Sequence, residues 1–160
     1  MLLLKISFIL GYVILGLYIG YVIYKDRKIP QSISATVYSL EDKNKWLFTT
    51  IMFITAILIA PQLFEILSST NYAILSFLAS FGIMCVGADQ LVKEKKNIIH
   101  YLGAVIMGIA TQLIVWLTIP SMFLLWISYV VYTMYMDNGY WNMFFAEMVM
   151  MTMLFVCGIA

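Results

Sequence analysis

Asp89 and His100 are of types, and at a spacing, that could do chemistry. Each lies about one turn inside an apolar run, on either side of a lysine-rich connection, so two antiparallel helices would bring them together. A carboxylate against an imidazole fixes its tautomer and raises its basicity, as a general base requires. Ser32 and Ser34, in a polar stretch of an earlier connection, would add a nucleophilic hydroxyl at the same membrane face. Together they read as an intramembrane hydrolase or transferase acting on a lipid headgroup or acyl chain. The competing reading pairs Asp89 with Lys93 at i,i+4 spacing and leaves His100 at headgroup level.

Glu147 raises a different chemistry. Counted from Gly139 at ~1.5 Å per residue, it stands about 12 Å into the last apolar run. No Lys or Arg lies at that depth, and a carboxylate facing hydrocarbon costs several kcal/mol, so the side chain should point inward and keep its proton at neutral pH. Gln112 and Thr111, midway along an earlier apolar run, are its expected partners. Two readings stay open: a proton or ion site, and a neutral acid hydrogen-bonded between helices. Glu65, one turn beyond Pro61, falls at the level of Lys5, which predicts an ion pair.

These side chains must be positioned by membrane helices. Of the 160 residues, 64% are hydrophobic and 11% charged, with mean hydropathy +0.97. Soluble domains run near 45–50% and about 25%, so a water-soluble fold is excluded, and so is disorder. The fold class is an all-α integral membrane protein. A net charge of +1 leaves no footprint for nucleic acid. Cys85 and Cys157 sit in apolar runs without CxxC or His spacing, so neither a disulfide nor a metal or other cofactor is expected. Nucleotide, metalloprotease and nucleophile-elbow motifs are absent. The run Met148, Met150, Met151 and Met153 reads as packing or lipid contact rather than copper transport.

A spanning helix needs about 20 mostly apolar residues. Six are predicted in one domain, over about 2–24, 46–67, 72–92, 98–119, 121–136 and 140–160, with Pro120 breaking the fourth and Asp137-Asn138-Gly139 turning before the sixth. The last two could instead form a re-entrant pair. The first run is too long for a signal-peptide core, lacks a basic segment before it, and is expected to stay uncleaved. All cations but Lys5 lie in two connections, Lys25 to Lys45 and Lys93 to Lys96, which share one side if helices alternate. Positive-inside bias makes that side cytoplasmic and puts the N-terminus outside an inner membrane, with Trp46 and Trp141 at the inner interface and Trp116 near the outer one. In the first connection, Ile29, Ile33, Val37 and Leu40 recur at helical steps after Pro30. They predict a short amphipathic helix, either re-entrant with Ser32, Ser34 and Thr36 toward the bundle or lying on the membrane surface. Gly16-x-x-x-Gly20, the Ser76, Ser80, Gly82 and Gly87 side, and Ala104 with Gly108 are small-residue faces for helix packing or a homodimer.

Ile29-Pro30-Gln31-Ser32-Ile33-Ser34 with Thr36-x-Tyr38, Trp46-Leu47-Phe48, Val86-Gly87-Ala88 and His100-Tyr101 resembles a family of small uncharacterised polytopic membrane proteins of Bacteroides-like bacteria and their phages. The resemblance covers about the first 120 residues and fades in the last two helices. It implies about six spans and a shared inner-face motif, and no activity. Ser, Asp and His at one face are also similar to the ceramidase and adiponectin-receptor-like superfamily, whose zinc is held by three histidines. This chain has one, so the metal does not carry over.

Three function classes follow. The leading one is a non-enzymatic membrane protein working by assembly or by a small-solute or proton path. The second is the lipid-acting enzyme with His100 as base, Asp89 as its orienter and Ser32 or Ser34 as nucleophile. The third is an accessory or immunity-type subunit whose loops bind a partner membrane protein. Membrane lipids are expected partners in each, since basic loops attract anionic lipid at about 1 kcal/mol per cation.

Overall fold

The computed structural model describes residues 2–88, 98–135 and 143–160, and among them every regular element is helical. In order these are α1 (Leu2–Asp26), α2 (Trp46–Leu67), α3 (Ile74–Ala88), α4 (Ile98–Thr118), α5 (Leu124–Tyr135) and α6 (Met143–Ile159). Short 3-10 turns lie at Ser34–Ser39, Asp42–Asn44 and Pro120–Phe123. Asp89 with the 89–92 end of the expected third helix, Lys93 to Lys96, the Asp137-Asn138-Gly139 turn and Trp141 lie outside the described residues.

α1, α2 and α4 are each long and apolar enough to cross a membrane, while α3 and α6 are shorter apolar helices. Within the expected fifth span, Pro120 opens a 3-10 turn that uses Pro120–Phe123, and the 12 described residues of α5 that follow rise about 18 Å against a ~30 Å core. α5 has one buried residue, Tyr129, and lies outside the bundle against α6.

The other five helices form a ring. α1 packs on α2, α2 on α3 and α3 on α4, and α6 closes the circle by touching α4, α2 and α1. The core runs through all five, from Phe8, Leu15 and Val22 on α1 to Leu154 on α6. A smaller cluster, Val115, Met153 and Cys157, carries the Pro120 turn and Trp126. Both cysteines are free, and Met150, Met151 and Met153 are buried packing residues.

The α2–α3–α4 side is drawn together by glycine. A Cβ added to Gly82 would sit 2.6 Å from the Gly103 carbonyl oxygen, and one on Gly103 would sit 2.5 Å from the Cys85 Cβ. The small face of α4 at this contact is Gly103, one residue from the expected Ala104; a Cβ on Gly108 would meet only the Met150 sulfur, at 4.0 Å. Thr49 adds a bond from its hydroxyl to the Gly87 carbonyl at 2.8 Å. Gly16 and Gly20, by contrast, face open space.

Two polar devices hold the far end, remote from the 27–45 connection. Lys5 donates to the Ile159 carbonyl at 2.9 Å, and Gln62 donates to the Gly158 carbonyl at 2.9 Å. The Lys5–Glu65 ion pair is therefore not formed; Glu65 is exposed. The physical reason is that carbonyls in the last turn of a helix have no intrahelical donor and draw a cation. Pro61 removes one donor from the α2 ladder, and Ser7 supplies a hydroxyl to the nearby Leu58 carbonyl at 2.9 Å.

Candidate functional site: a polar cavity under the first connection

The site is built by the 27–45 connection folding inward. α1 ends where Arg27 turns left-handed, with φ 56° and its N–H on the Ile23 carbonyl at 2.9 Å. The chain then dips into the ring: Ile33, Val37 and Leu40 are buried in the core, and Thr36 is sealed against the Tyr18 hydroxyl at 3.0 Å. This corrects the expected helix in two respects. It is a 3-10 turn beginning at Ser34, not a helix with Pro30 in its first turn, and Ile29 stays exposed. A surface-lying helix would leave its polar side to water; here the polar Thr36 is buried. Lys25 fixes the exit by donating to the Ser39 carbonyl at 2.9 Å, and Lys45 pairs with Asp42 at 2.7 Å.

α6 clasps this turn. The Phe144 N–H donates to the Gln31 carbonyl at 2.8 Å, and one Glu147 carboxylate oxygen accepts the Ile33 N–H. Glu147 thus finds its partner in the connection's backbone, not in Gln112 or Thr111. Depth explains the correction. Glu147 shares its cavity with His100, whereas Thr111 stands 11 residues, about 17 Å, farther along α4. The Gln112 carbonyl oxygen instead accepts the Trp126 indole N–H at 2.9 Å, while the buried Thr111 hydroxyl and Gln112 amide nitrogen have no hydrogen-bond partner among the described residues.

Ser32, Ser34, His100 and Glu147 line one cavity of about 310 Å³, with Gln31 and Tyr38 at its side. The two serine hydroxyls are 2.9 Å apart, and Ser32 also accepts the Ala35 N–H at 2.9 Å, which starts the 3-10 turn. His100, two residues into α4, meets the Tyr101 ring edge-on. Asp89 lies outside the described residues, so the carboxylate–imidazole pair is not part of this geometry. A narrower space of about 30 Å³ continues inward, lined by Ser34, His100, Glu147 and the apolar Met107 and Met151. That volume holds about one water, and three polar groups could bind it.

Chemically, the cavity offers a carboxyl, an imidazole and two hydroxyls in a low-dielectric setting, with no Lys or Arg among its described lining residues. It can accept hydrogen bonds from a donor-rich solute and pass a proton among its members. The bond to the Ile33 backbone was invisible in the sequence, because a main-chain donor has no residue signature. Gln31 and Tyr38 were missed as well, although both lie in the stretch that carries Ser32 and Ser34. Comparison with known protein families, with curated proteins and with solved structures finds no match.

Proposed function

We propose that this chain is a multi-pass inner-membrane protein, N-terminus outside and the 27–45 connection in the cytoplasm, that works without covalent catalysis. It admits a small hydrogen-bonding solute, or that solute's proton, to the cavity beneath the connection, and Glu147 is the exchanging group. One observation carries this reading: the only described carboxylate lining the cavity is also the acceptor that clasps the connection through Ile33. A solute donor on Glu147 competes with the Ile33 N–H, and a proton weakens the carboxyl as its acceptor, so occupancy and closure of the connection are coupled. The cations of the two basic connections set the orientation.

The test is flux in proteoliposomes, followed by a pH-sensitive dye, together with amide exchange at Ile33. Glu147→Gln keeps an acceptor for Ile33 and loses the titration, so flux should vanish while the amide stays protected. Unchanged flux removes Glu147 from the mechanism, and no flux in the wild type removes the path altogether.

A second reading, the intramembrane hydrolase or transferase, is favoured by Ser32, Ser34 and His100 lining one cavity. Against it, the Ser32 hydroxyl is already engaged by Ser34 and the Ala35 N–H. Lipid turnover that is lost in both Ser34→Ala and His100→Ala would establish this reading in place of the first.

A further inference from the structure

The narrow inner space is where methionine gathers. Met52 on α2, Met107 on α4, and Met150 and Met151 on α6 line it together with His100 and Glu147. Helical spacing brings these side chains to one place. On α4, His100, Ala104 and Met107 follow at four- and three-residue steps and all line the space, so they share one helix face. The small Ala104 leaves room between the two larger side chains. On α6, Glu147, Met150 and Met151 stand at i, i+3 and i+4 and share a face in the same way. A Cβ added to Gly108 would lie 4.0 Å from the Met150 sulfur, so that sulfur rests beside the α4 turn that carries Met107. The methionine run of α6, expected to pack or to meet lipid, therefore divides. Met148 lines a separate apolar groove of about 270 Å³ between α1 and α6, along with Gly16 and Phe155, and does not border the inner space. Packing alone asks methionine to fill a gap, yet four of them border one of about 30 Å³, the size of a single water.

We propose that this space is a binding site for one soft monovalent cation, Cu(I) or its analogue Ag(I), held by the thioether sulfurs of Met52, Met107, Met150 and Met151, with the Glu147 carboxylate as counter-charge. Ligand chemistry selects the ion. Thioether sulfur is neutral and polarizable, and four such donors suit a tetrahedral soft ion rather than magnesium or calcium, which seek oxygen. Zinc asks for thiolate, imidazole or carboxylate, and among the described residues no three His, Cys, Asp or Glu side chains gather into such a group. A cation at this depth needs an opposite charge beside it, and Glu147 borders the same space. The site stands independently of the solute path, since an ion can be held without flux.

Silver nitrate added to the detergent-purified full chain, read by native mass spectrometry, tests the site free of copper's redox chemistry. One Ag(I) per chain should be retained, and Cu(I) supplied from a bathocuproine disulfonate buffer should displace it. The triple variant Met107→Leu, Met150→Leu, Met151→Leu conserves volume and removes sulfur, and should weaken retention roughly tenfold or more. Met107→Leu alone is read if a thermal melt shows the triple variant unfolded. Met148→Leu should retain the ion as the wild type does. The free thiols are the rival ligands, so Cys85→Ala with Cys157→Ala should keep the ion. Copper K-edge absorption of that cysteine-free chain, loaded with Cu(I), should show sulfur neighbours. No retained ion in the wild type overturns the proposal, leaving the space to a water. Full retention in a folded leucine variant, loss of the ion with the cysteines, or a copper shell of nitrogen and oxygen alone overturns it as well.

Discussion

The two flanks of the ring are built on opposite plans. On the α2–α3–α4 flank, helix backbones meet through Gly82, Gly103 and Gly87, and there is no room for a Cβ. On the α1–α6 flank the glycine at mid-groove, Gly16, faces open space, and the gap is bordered by long side chains such as Met148, Met151 and Phe155. Small residues let helices lock in a membrane, where no hydrophobic drive favours helix contact over lipid. Adaptable methionines do the reverse, filling irregular gaps and rearranging at little cost. The rigid flank is a scaffold; the groove opens on the soft one, and the cavity lies where the 27–45 connection meets α4 and α6.

This contrast can be broken most severely at the scaffold. Gly103→Leu should cost about 3 kcal/mol or more in SDS-titration unfolding, because its neighbours are backbone and Cβ atoms of α3 that cannot step aside. Gly158→Ala is the comparable lesion on the soft flank. Its Cβ would fall within 2.2 Å of two Phe8 ring atoms, yet a ring can turn, so the cost should be nearer 2 kcal/mol. A Phe8→Leu background should recover part of that loss in a double-mutant cycle. Trp126→Phe removes the indole donor to Gln112, and loss of that part-buried bond should cost about 1 kcal/mol. The smallest effect sharpens the comparison. Gly16→Ala should change stability by less than about 0.5 kcal/mol or raise it slightly, since alanine is the better helix former and meets nothing there. A loss of 2 kcal/mol at Gly16 would mean that the two flanks are alike.

Much of the helical layout could be read from the residues. The second helix, expected over 46–67, occupies Trp46–Leu67, and the fourth, expected over 98–119, ends at Thr118 just before Pro120. Long apolar runs and proline are strong local signals. At α5 the helix begins later than expected, because the Pro120 turn takes residues 121–123 that a hydropathy count assigns to it. Ser32, Ser34 and His100 were chosen for one membrane face and do share a cavity. Glu147 joined them unexpectedly. Its depth was counted from a turn, and its partner is a main-chain N–H, so residue types could reveal neither. Lys5 teaches the same lesson, having exchanged an expected carboxylate for a helix-end carbonyl.

The clasp between Ile33 and Glu147 joins residues 114 apart in the chain, and the Lys5 bond to Ile159 joins residues 154 apart. Assembly order follows from those separations. α1 with α2, α2 with α3 and α3 with α4 are sequential neighbours and can pair as each is made, at small loop-closure cost. Phe8 and Tyr12 on α1 must wait for Phe155 of α6, so their rings stay unpartnered by it until α6 enters. The cavity does not exist before that step. A nascent chain halted before α6 would hold four paired helices and no site, so its ability to bind anything would switch on only once α6 has been made.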